Sequence, residues 1–211
     1  MRIVFLCIFL VFASPLRGQE NALIAPWSLG DSREQVLAET KFGPYKNVSI
    51  TGGLETAHGS FLGEKTTISF VFGETEQLEY LQVWLYEGSS FPKAKKEALR
   101  IFDIFASRFG GASVSGIEVD GSEHMDRDSF SVVLDKVLGQ APKLGEKFKR
   151  ERQVVATTTL DLVPRRGPEH VKIVGQLIHS SRYDSYYIFL FEDLASAPDR
   201  RAKSKVYLEK L

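Results

Sequence analysis

The chain has 211 residues, enough for one or two small domains. Hydrophobic residues make up 43% and charged residues 26%, a balance that excludes wholesale disorder, collagen-like repeats and a polytopic membrane protein. Basic and acidic side chains number 27 each, so no net basic field exists to draw in nucleic acid.

The first element predicted is an export signal at residues 1–18. Arg2 supplies a positive start, residues 3–13 are an unbroken apolar run of eleven, and Ser14, Pro15 and Gly18 follow as small or helix-breaking residues. A spanning helix needs about 20 apolar residues, so this run is short for an anchor and no integral span is expected after cleavage. Cleavage is expected after Ala13 or Gly18. Loss of residues 1–18 takes away Arg2 and Arg17 and no acid, leaving 25 basic and 27 acidic residues and a net charge of −2. The single cysteine, Cys7, lies inside the run, so the exported chain would be free of disulfides and thiolate chemistry. About 190 residues can bury a core large enough to stand without cross-links. The chain is therefore expected to be periplasmic or secreted.

Ser32-Arg33-Glu34-Gln35 has the form of a capping box and predicts a short helix, ended by Phe42-Gly43-Pro44. The pattern then turns to period two. Val48 and Ile50 alternate before a turn at Gly52-Gly53. Ile68, Phe70 and Phe72 share one strand face; Leu81, Val83 and Leu85 share another, opposed by Tyr80, Gln82, Trp84 and Tyr86. Ser90 and Pro92 predict a helix start, and Ala98, Ile101, Phe102, Phe105 and Phe109 form its apolar stripe up to Gly110-Gly111. Residues 112–122 read as a linker or a single strand. Asp126 or Asp128 can cap a further helix striped by Phe130, Val133, Leu134, Val137 and Leu138. Three strand-like runs follow at 154–163, 171–179 and 186–191, and residues 197–211 form a basic tail. Consecutive strands after helices predict an α+β fold, antiparallel sheets with helices on one face, in two tandem helix-plus-meander units at 24–112 and 118–196.

Leu29-Gly30-Asp31-Ser32-Arg33-Glu34-Gln35-Val36, Phe42-Gly43-Pro44 and Val83-Trp84-Leu85-Tyr86 resemble small exported bacterial modules: the SmpA/OmlA-like envelope proteins and the β-lactamase-inhibitor-protein fold. The resemblance covers residues 27–111, under half of the chain. The SmpA/OmlA-like proteins are usually lipid-anchored at an N-terminal cysteine, which this chain lacks at that place. Both groups act by binding other proteins, so the resemblance implies a non-enzymatic binding module and transfers no catalytic residue.

Tyr80, Trp84 and Tyr86 are the candidate partner surface, because aromatics on one strand face suit a protein interface. The expected partner is a protein of the cell envelope; nucleic acid is not expected, and no cofactor motif is present. Two further readings compete. Asp120, Glu123, His124 and Asp126, the densest acidic cluster, could hold a metal ion, although their spacing does not match the calcium loop. An exported hydrolase would use loop carboxylates and a His, but no Gly-x-Ser-x-Gly elbow is present. His58, His124, His170 and His179 show no helical metal spacing.

Overall fold

Ser32 begins the first helix as its neighbours dictate. Its hydroxyl accepts from the Gln35 N–H at 3.3 Å, and the Gln35 side chain accepts from the Ser32 N–H at 2.7 Å. This reciprocal pair satisfies donors that a helix start leaves orphaned. The helix, α1 (Arg33–Ala38), buries Val36 and hands over to a 3-10 turn at Thr40–Phe42. The computed structural model describes residues 23–24, 26–49, 51–116, 125–139, 157–180 and 183–194.

Strands β1 (Lys46–Val48), β2 (Gly53–Phe61), β3 (Glu64–Phe72) and β4 (Leu78–Gly88) form a meander. Then comes α2 (Phe91–Phe109), with Pro92 in its first turn and Gly110 closing it at φ 71°, a left-handed conformation that glycine adopts freely. β5 (Ala112–Gly116) leads to α3 (Arg127–Leu134) and a π-turn at Asp135–Gly139. β6 (Thr157–Pro164), β7 (Val171–Ser180) and β8 (Ser185–Leu194) complete the described chain.

All eight strands join one antiparallel sheet in the order β1-β2-β3-β4-β8-β7-β6-β5. The fold is α+β. The chain reaches the middle of the sheet at β4, crosses to the far edge along α2, and works back until β8 slots between β4 and β7. α2 touches β4, β5, β6, β7 and β8, so it braces the junction of the two halves. Its stripe (Ala98, Ile101, Phe102, Phe105) is buried against Leu81, Val83, Leu160, Leu177, Ile188 and Leu190. Each large apolar side chain buried in this way contributes roughly 1.5–3 kcal/mol. One cluster spans both halves, so the two units foreseen at 24–112 and 118–196 share a single core and a single sheet. At the N-terminal end Trp27 is buried between Phe42 and Phe70, with ring centroids 4.7 and 5.0 Å away.

Some predicted elements take different bounds. β6 begins at Thr157, with 154–156 outside the described residues, and β8 runs on to Leu194. β2 was not foreseen; Thr56, Ala57, His58, Gly59 and Ser60 hide its period, and a bulge between Thr56 and Gly59 breaks the alternation.

Candidate functional site

The sheet has a second apolar face, turned away from α2 and α3. The pairing registers set its rows. Val71 lies beside Tyr80; Gln82 beside Phe191 and then Val174; Trp84 beside Phe189 and then Gln176; Tyr187 beside Ile178. Five aromatics (Tyr80, Trp84, Tyr187, Phe189 and Phe191) thus gather on two neighbouring central strands. Tyr80 stacks on Phe191 at 5.4 Å, and Trp84 meets Phe189 edge-on at 4.8 Å. Tyr80, Phe189 and Phe191 are at most 2% exposed, whereas Trp84 is only partly buried. Polar residues border the group: Glu55 and Ser69 on one flank, Asp161 on the other, where it accepts from the Gln176 amide at 2.9 Å.

The three residues expected to share a surface are therefore separated. Tyr80 belongs to this face but is buried. Trp84 belongs to it and reaches solvent, with its indole N–H donating to Ser69 at 3.3 Å. Tyr86 lies on the helix face instead. The register slips between Trp84 and Tyr86, leaving Leu85 as a bulge, so the alternation reverses and Tyr86 turns toward α2. There its hydroxyl accepts from the Ser90 N–H at 3.1 Å, at the start of α2. Tyr187 is on the aromatic face, and Tyr186 packs in the main core. Burial raises both phenols above their ordinary pKa, helped by Asp184 at Tyr186 and Glu87 at Tyr187.

Of the proposed metal set, Asp120, Glu123 and His124 lie outside the described residues. Asp126 is the N-cap of α3, its carboxylate accepting from the Ser129 N–H at 2.7 Å. Among the described residues, no three His, Cys, Asp or Glu side chains gather closely enough to hold a metal ion. His58 and His170 are exposed, while His179 is buried on the helix face, its ring centroid 4.6 Å from that of Tyr186 and its Nε2 3.6 Å from the Asp184 carboxylate.

Two features were missed from sequence. Glu192 is buried in the main core face, where desolvation pushes its carboxyl up to about 7 against the opposing pull of the Leu23 N–H. Its place two residues after Leu190, on the strand face that Ile188 and Leu190 share, is the sequence signal of that burial. The second is a notch of about 190 Å³ beside Trp84, reached by Arg100 of α2. No described helix is long and apolar enough to cross a membrane.

Compared with known proteins, the chain matches no family model, no curated protein and no solved structure.

Proposed function

We propose that the chain is an exported, non-enzymatic protein-binding module that meets a cell-envelope partner at Trp84 and the strand face around it. Trp84 carries this reading. It is an aromatic side chain fixed on both sides, by Phe189 edge-on and by the Ser69 hydroxyl, yet it still reaches the surface. An anchor of that kind loses little freedom on binding and buries a large apolar area, which is how a few residues come to dominate an interface. The polar flank of Glu55, Ser69 and Thr67 suits an interface rim. The leader at residues 1–18 and the resemblance to exported binding modules point to the same setting.

The test is cross-linking in the native envelope with the wild type, Trp84→Ala and Val132→Ala. Val132 is 65% exposed on α3, on the opposite side of the sheet. The expected result is one cross-linked partner lost in Trp84→Ala and kept in Val132→Ala, with unchanged circular dichroism for both. A partner retained by Trp84→Ala would remove this reading.

A further inference from the structure

The notch beside Trp84 arises because two neighbouring strands stop pairing. β3 and β4 run in register from Phe72 and Leu78 as far as Thr67 and Trp84. Beyond that point Thr66, Lys65 and Glu64 pair only with β2, opposite Gly59, Ser60 and Phe61. Tyr86, Glu87 and Gly88 pair only with β8. Among the described residues, then, one edge of β4 past Trp84 has no strand against it, in the middle of an otherwise continuous sheet. The apex is closed by the last pair, and by the Thr66 hydroxyl donating to the Trp84 carbonyl. Phe61 and Arg100 line the helix side, and Glu64 and Lys65 the rim.

An unpaired strand edge recognises extended backbone. This edge ends in a closed apex, so a strand entering here cannot run through; it has to terminate. The volume, about that of six water molecules, accommodates a terminal residue and not a long segment. The charge in the notch selects which terminus. Arg100 sits with its guanidinium 5.7 Å over the Phe61 ring. Its Nε is 3.0 Å from Glu97 Oε2, without hydrogen-bond alignment, and its Nη1 meets Glu64. Glu97 is largely buried, but the Glu64 side chain is 67% exposed and bound to one place only by that contact. An exposed pair of this kind is weak, so an incoming carboxylate can take the place of Glu64 while Glu97 and Phe61 hold the guanidinium still. Lys65 adds a second cation at the mouth.

We propose that this notch binds the C-terminal carboxylate of an extended polypeptide, its last residue adding to the free edge of β4 and its carboxylate meeting Arg100. The proposal rests on the protein-binding reading and names the part of the partner that is recognised.

The probe is a hexapeptide of alternating threonine and valine, as free acid and as C-terminal amide, titrated into ¹⁵N-labelled protein. The chain has two tryptophans, and Trp27 is buried elsewhere, so the Trp84 indole N–H is a resolvable reporter. The free acid is expected to shift it, with the amide at least tenfold weaker. Arg100→Gln should abolish the difference. Glu64→Gln should bind the free acid more tightly than the wild type, a gain that misfolding cannot mimic. Equal binding of acid and amide, no shift with either, or a Glu64→Gln variant no tighter than wild type would each overturn the notch. If the notch fails while Trp84→Ala still loses its envelope partner, the aromatic-face reading survives alone; if Trp84→Ala keeps that partner, the broader reading falls with it.

Discussion

The backbone N–H of Leu23 donates to the Glu192 carboxyl at 3.1 Å, joining the first described residue to the central strand of the sheet across 169 positions of sequence. Glu192 is 5% exposed, and its cross-strand neighbours are Leu81 and Ile173. A carboxyl placed there prefers to be neutral, which is why its pKa rises to about 7. The folded state therefore binds this proton more tightly than the unfolded state does. Its stabilising effect is complete below the ordinary carboxyl range and is lost as pH climbs through about 7. The expected cost of going from pH 5 to pH 8.5 is roughly 3 kcal/mol. Urea midpoints for wild type and Glu192→Gln across that range check it: the wild type should decline and the Gln variant should not. A flat wild-type profile would show that Glu192 is not the controlling group.

Gly175 of β7 lies under α2. A Cβ there would sit 2.9 Å from Ile101 Cγ2 and 3.5 Å from Leu162 Cβ. Gly175→Ala should therefore push α2 off the sheet and cost about 1–3 kcal/mol, despite the better strand-forming residue. Ile101→Val in the same chain should recover part of the loss, because it shortens the side chain in the way. Additive losses in the double variant, measured by thermal melting, would mean that the two residues do not meet.

Asp126 offers a way to separate a cap from a ligand. As the N-cap of α3 it needs only an acceptor oxygen. Asp126→Asn should keep full stability and Asp126→Ala should lose about 1 kcal/mol. Neither variant should alter the melting temperature response to added calcium. A calcium-dependent stabilisation lost in Asp126→Asn would revive the metal reading at Asp120, Glu123, His124 and Asp126.

Much of the architecture could be read from local chemistry. The stripe from Ala98 to Phe109 with Ser90 and Pro92 before it defines α2, because both the periodicity and the stop at Gly110 are carried by neighbouring residues. The capping box at Ser32 is equally local. What escaped depended on distance or on a broken repeat. Nothing near Trp84 announces that β4 will meet β8 rather than a strand of its own half, since that pairing spans about a hundred residues. The bulge at Leu85 reverses the alternation, so strict period two put Tyr86 on the wrong side. The aromatic face was half legible: Tyr80 and Trp84 were visible as neighbours, but their companions Phe189 and Phe191 join them only through that distant pairing. The notch could not be read at all, because it is made by pairing that stops.

The strand that completes the sheet is also the last one described. Until β8 exists, β4 and β7 have no common neighbour, and the two halves are separate open meanders with long unpaired rims. A chain truncated before Ser185 is thus expected to lack the one strand that joins the two meanders into a single sheet.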